Sequence, residues 1–234
     1  MITAKRRAEI EKIIHGMHHE IIQSAKLRYP SHLGLPPYPQ LFSPDVAIEK
    51  YGYSYEIRES MPGAQSGGQF RTAGMIDTEQ AIVMISSSMS YETQRFTAAH
   101  ELGHLVLHES LPSMRQHRDR PLSGEFMGPR PLVEEEADYF AAVWLAPSAT
   151  VKHYFQGRFG SIPLVLNEDT AFHIAGHKGI VDLMASKPTS LEFPVAVARA
   201  TRFNGRPFES LARFFGMSPT AMGIRIKQLE LVAY

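Results

Sequence analysis

The sequence has no cysteine, which removes disulfides, thiolate metal sites and thiol catalysis together. It has no excess of either charge, with 24 Lys+Arg against 24 Asp+Glu over 234 residues. A neutral total gives no long-range field for polyanions, which weakens any function resting on bulk attraction to nucleic acid or anionic membrane. Long apolar runs are missing too. The longest, around Tyr139 to Pro147, is far too short to cross a bilayer. Lys5, Arg6 and Arg7 resemble the start of a signal peptide, but Glu9, Glu11 and Lys12 stand where its apolar region belongs. The expected location is therefore the cytoplasm, with no membrane partner. What is present, 44% apolar and 21% charged residues, is enough to build a core.

Ile10, Ile13, Ile14, Met17, Ile21 and Ile22 recur at helical spacing and predict an amphipathic helix over residues 4–29. His15, His18 and His19 fall on its polar side and read as solvated. Tyr29-Pro30 ends it, because a proline disfavours helical geometry in the residue before it. Pro36-Pro37-Tyr38-Pro39 reads as a linker, so residues 1–42 form an N-terminal helix with its linker. Ser43-Pro44 has the form of a cap and first-turn proline, opening a short helix that stops at Gly52. Tyr53 to Ile57 alternates, and Glu59 to Gly68 is a loop. Gln69–Ile76 and Ala81–Ser86 read as strands joined by a turn at Asp77 to Gln80.

His100-Glu101-Leu102-Gly103-His104 is an H-E-x-x-H pattern. Two histidines four apart on a helix lie one turn apart on one face, so both imidazoles can reach one metal ion. The glutamate between them stands beside the open coordination position, where it can take a proton from metal-bound water. Ser90 can cap this helix and Glu92 suits its positive end, while Phe96, Ala98, Ala99, Leu102, Leu105, Val106 and Leu107 make it apolar almost all round. Polar side chains buried there are costly unless something satisfies them, as a metal does. A third ligand is still needed. His108 is one turn further, but three ligands on one straight helix converge poorly, so it reads as a supporting residue. The better source is a second helix, Val133 to Leu145, on which Glu134, Ala137, Asp138 and Ala141 share a face. The alanines permit close approach. Glu134 is the expected ligand and Glu136 the alternative, with Asp138 orienting a ligand imidazole.

The segment from Arg95 to His108, followed by Glu134-x-Glu136-Ala137-Asp138-x-Phe140-Ala141-Ala142 and Pro147, resembles the ImmA/IrrE family of bacterial and phage metallopeptidases over residues 43–147. The resemblance implies an α+β fold of gluzincin type. A small mixed or antiparallel sheet would pack on zincin-type helices, with the H-E-x-x-H helix beneath it and the third ligand on the next helix. It also implies one Zn²⁺ and, as substrate, a helix-turn-helix repressor of the XRE class.

Residues 148–205 match no such pattern and stay unassigned. In 206–234, Phe208, Leu211, Phe214 and Phe215 form one helical stripe and Met222, Ile226 and Leu229 another. Between them Gly216-Met217-Ser218-Pro219 supplies a C-cap, a turn, a capping Ser and a first-turn Pro. This is a helix-turn-helix-like pair. Arg225 and Lys227 are thin provision for phosphate, so direct nucleic-acid binding is not expected, and packing on the peptidase core is. His173, His177, Tyr139 and Tyr154 are candidates for stabilising an oxyanion, with the two histidines expected in a loop or helix end because of Gly176 and Gly179.

The whole describes a cytoplasmic zinc metallopeptidase. His100, His104 and Glu134 would hold Zn²⁺ and Glu101 would serve as general base. The strand Ala81–Ser86 would be the edge that receives an extended protein substrate. The alternatives are a non-catalytic regulator or toxin–antitoxin-type partner that binds a transcription factor, and a DNA-binding regulator with a vestigial metal site. Glu101 favours the enzyme, since a structural metal site needs no base.

Overall fold

A computed structural model describes residues 2–29, 34–61, 72–108, 116–119 and 131–234, and the chain divides into two units, Met1–Leu145 and Ala146–Tyr234. Residues 62–68 of the expected loop and 69–71 of the expected strand lie outside the described residues. The class is α+β, with helices predominating over small sheets. No helix among the described residues is long and apolar enough to cross a membrane.

The first unit opens with α1 (Ala4–Arg28), capped by the Thr3 hydroxyl, which accepts the Arg6 amide at 3.2 Å. Tyr29 is extended, as expected before a proline. Ile10, Ile14 and Ala25 are buried, and so is His18, at 7% exposure. This corrects the expectation of a solvated His18. The residues 10, 14 and 18 lie four apart and form one ridge, so this histidine takes a core position while Ile13 is 37% exposed. Its ring stacks on Phe42 at 4.1 Å and stands edge-on to Trp144 at 4.6 Å. Part of the expected linker is helical, as α2 (Tyr38–Leu41). α3 (Pro44–Lys50) follows, with Pro44 in its first turn.

Three strands come next, β1 (Ser54–Arg58), β2 (Gly74–Asp77) and β3 (Ile82–Ser86). The Asp77 carboxylate accepts the amides of Glu79 and Gln80, each at 3.0 Å, and so builds the turn between β2 and β3. After α4 (Tyr91–His108) comes β4 (Gln116–Asp119), completing a mixed sheet of order β1-β3-β2-β4. β1 runs parallel to β3, and the other pairs are antiparallel. β3 is therefore interior, hydrogen-bonded on both sides, and cannot accept a further strand. This overturns the expected role of Ala81–Ser86. Among the described residues the edges are β1 and β4. Position in a sheet is decided by distant pairings such as Ser54 with Ile82 and Gly74 with Ile85.

α5 (Leu132–Leu145) lies against α4. A Cβ at Gly103 would sit 3.1 Å from Phe140 Cβ and 3.2 Å from Ala137 Cα, so a residue without a side chain sets how closely the two helices approach. α1 covers α5, where Tyr139 donates to Glu11 at 2.7 Å and Arg7 lies over the Tyr139 ring.

The second unit contains α6 (Ser148–Phe159), β5 (Leu164–Val165), α7 (Glu168–Met184), α8 (Glu192–Arg199), β6 (Arg202–Phe203), β7 (Arg206–Pro207), α9 (Leu211–Phe215), α10 (Pro219–Gln228) and β8 (Val232–Ala233). Residues 148–205 and 206–234 thus share one unit. β5 pairs with β8, and β6 with β7 across an Asn204-Gly205 turn. His173 and His177 are helical on either side of a break at Gly176 (φ 68°), where a loop or helix end was expected. Ser210 and Ser218 cap α9 and α10, and left-handed Gly216 closes α9. Within this unit α9 and α10 pack on α8, and Phe208, Phe214 and Phe215 meet the rings of Phe159 and Tyr154 on α6. Arg225 is buried within the unit, donating to the Ala146 carbonyl at 3.0 Å and the Ser148 hydroxyl at 2.9 Å. Lys227 Nζ donates to the carbonyls of Thr189 and Ser190, and Arg213 pairs with Glu209.

Candidate metal centre

α4 is buried over most of its surface, and His100, Glu101 and His104 are all at 1% exposure or less. The Ser90 hydroxyl accepts the Thr93 amide and starts the helix in the register that stacks the two histidines. Their Nε2 atoms converge to 3.0 Å. From the first turn of α5, Glu134 brings one carboxylate oxygen to 3.3 Å from His100 Nε2 and the other to 3.5 Å from His104 Nε2. One donor atom from each of His100, His104 and Glu134 lies within 4.8 Å of the others. Two imidazole nitrogens and a carboxylate oxygen, meeting where their lone pairs compete, form a donor set suited to a divalent cation.

The outer nitrogens of both imidazoles are held. Asp138, one turn beyond Glu134, places a carboxylate oxygen 3.0 Å from His100 Nδ1. His104 Nδ1 lies 3.0 Å from His108 Nδ1, and His108 Nε2 lies 3.1 Å from Glu136. Glu136, the alternative ligand, thus faces His108 and accepts from Arg6 at 2.7 Å. The Arg6 hydrogen bond holds its carboxyl below the usual range, against the opposing effect of burial. Neither Arg6 nor Glu136 was legible in this role, since α1 and α5 meet through tertiary packing.

Above the metal-facing helix, β2 presents Gly74. A Cβ there would collide with the Glu101 carboxylate and come within 2.7 Å of the Thr97 methyl. Glycine is required by the space, a requirement invisible in a lone Ala73-Gly74 step. β4 pairs with β2 and sets Asp119 opposite Gly74, so β4 is the sheet edge adjacent to the strand over Glu101. Of the oxyanion candidates, Tyr139 is turned to Glu11 on α1. Tyr154, His173 and His177 belong to the second unit.

A helix carrying two histidines around a glutamate, with a carboxylate from the next helix, forms a group of side chains that could hold a metal ion. Residues 60–164 match the family model described as the IrrE N-terminal-like domain, Peptidase_M78. No curated protein matches the chain. Among solved structures, a Mycobacterium tuberculosis transcriptional regulator is similar at 13% identity with a TM-score of 0.34, over 83% of this chain and 52% of that one. The chain spans about half the length of that regulator.

Proposed function

We propose that this chain is a zinc-dependent endopeptidase that hydrolyses a peptide bond in one protein partner, a helix-turn-helix repressor of the XRE class. The observation that carries the reading is the convergence of His100, His104 and Glu134 beside a buried Glu101. His100, His104 and Glu134 would hold Zn²⁺, which supplies Lewis-acid polarisation of a carbonyl and acidifies water. Glu101 takes the proton of the attacking water and returns it to the leaving amine. Gly74 leaves the room in which that carboxylate sits. Asp138 fixes the His100 ring so that Nε2 faces inward. An extended substrate segment is best added at the β4 edge, adjacent to the strand over Glu101. The partner class rests on the family resemblance.

Co-incubating the purified, zinc-loaded chain with an XRE repressor encoded beside it tests the reading. The expected outcome is one discrete fragment. Glu101→Gln should keep the zinc and slow cleavage by about 10²–10⁴-fold, the usual contribution of a general base. Undiminished cleavage by that variant refutes the mechanism. Binding of the repressor without any cut assigns the scaffold to a non-catalytic regulator.

A further inference from the structure

We propose that His108, Glu136 and Arg6 form a positioning relay that fixes the proton of His104 on Nδ1 and so presents its Nε2 to the metal. The inference rests on the metal reading of His100, His104 and Glu134, and adds three residues to it.

The two ligand imidazoles are oriented by different means. His100 Nδ1 faces a carboxylate directly, that of Asp138. His104 Nδ1 faces another imidazole, His108 Nδ1, at 3.0 Å. A ring nitrogen that donates a lone pair to a metal carries no proton, so the remaining proton of neutral His104 sits on Nδ1 and is donated outward. His108 Nδ1 must then accept, which leaves the His108 proton on Nε2. That proton points at Glu136, 3.1 Å away, an ionised carboxylate with acceptor capacity only. Arg6, with donors only, closes the series at 2.7 Å on the same carboxylate oxygen. Every hydrogen bond has one donor and one acceptor only in this direction. Reversed, a bare His108 Nε2 would face a carboxylate, and two N–H groups would face each other. His108 and Glu136 are buried, so water offers no easy substitute.

The relay also crosses the molecule. Arg6 and Glu136 lie 130 residues apart, on α1 and α5. α1, which contributes no metal ligand, thereby reaches the outer layer of the centre. Arg6, Glu136 and His108 lie outside the group of candidate metal donors and act through His104.

Zinc affinity of the full-length chain, measured by competition with a chromophoric chelator, is the first readout. His108→Leu leaves the His104 Nδ1 proton without its acceptor and should weaken zinc binding by about 10–100-fold. His108→Gln should restore it, because its carbonyl accepts from His104 while its amide donates to Glu136. Glu136→Leu should resemble His108→Leu, and Arg6→Met should cost less, since Glu136 still accepts from His108. The second readout, independent of any variant's folding, is the imidazole ¹⁵N spectrum of the zinc-loaded wild type. His108 should show a bare Nδ1 and a protonated Nε2. The opposite tautomer overturns the proposal, as does His108→Leu binding zinc like wild type or His108→Gln binding as weakly as His108→Leu. His104→Ala separates the two readings. If it binds zinc as tightly as wild type, the metal centre is misassigned and the relay falls with it. If it loses zinc while His108→Leu does not, the relay alone is wrong.

Discussion

Lowering the pH from 7.5 to 5 should destabilise the first unit through one residue, His18. Its ring is 7% exposed between Phe42 and Trp144, and its Nε2 has no hydrogen-bond partner among the described residues. Burial, helped by nearby His15, pushes its pKa down to about 3. In the unfolded chain the group titrates near its ordinary value, about 6.5. The unfolded state therefore binds the extra proton first as pH falls. The stability associated with neutral His18 is complete above the unfolded value and is lost progressively below it. At pH 5 the unfolded group is some thirty-fold more protonated than not, while the folded one is still neutral, which amounts to about 2 kcal/mol between pH 7.5 and 5. That window ends well above the folded value, so the figure depends on the unfolded group alone. The chain carries one tryptophan, and Trp144 is buried with its ring centre 4.6 Å from that of His18, so indole fluorescence during urea unfolding reports on this unit. His18→Leu, of similar volume and without a titrating group, should flatten the pH dependence by about that amount and leave no penalty for an unpaired ring nitrogen. Identical pH dependence in wild type and His18→Leu would refute the reasoning.

Two further substitutions test close packing and the second unit. Gly74→Ala inserts a methyl group against Glu101 and Thr97, so cleavage should fall sharply and stability should drop by about 1–3 kcal/mol, with zinc content read alongside turnover; full activity would contradict the placement of Glu101. Arg225→Met removes the donors to Ala146 and Ser148 and should cost the second unit about 2–4 kcal/mol, seen as a lower midpoint in thermal circular dichroism, without altering affinity for duplex DNA; an unchanged midpoint would show that the contacts carry little.

What could be read from the sequence was what depends on local spacing. His100 and His104 converge because a four-residue interval on an apolar helix leaves little choice, and Glu134 was reached because it shares a face with Ala137 and Ala141. The caps at Ser90 and Ser218 and the left-handed Gly216 are local in the same sense. What depends on distant pairing was not legible. β3 lies in the sheet interior because β1 joins it in parallel, although its unbroken apolar run Ile82 to Ile85 already hinted at burial on both faces. His18 reads as solvated in the sequence because polar side chains usually are, and nothing in the sequence gives Arg225 its partners. Each occupies a place on a buried helix ridge, and only the neighbours, two aromatic rings or a carbonyl and a hydroxyl, reveal it.

The clamp of Arg225 also determines when the second unit can close. Its contacts join residues 77 and 79 positions apart, and Leu164 in β5 waits for Val232 in β8. As the chain leaves the ribosome, α8 exposes Phe193, fully buried in the finished fold, until α10 has emerged to pack on it. The interval is one of vulnerability to chaperones and proteases. A nonsense mutation just before Arg225 would spare every proposed metal ligand and still release a chain with an unclosed half, marked for degradation before its intact site could be used.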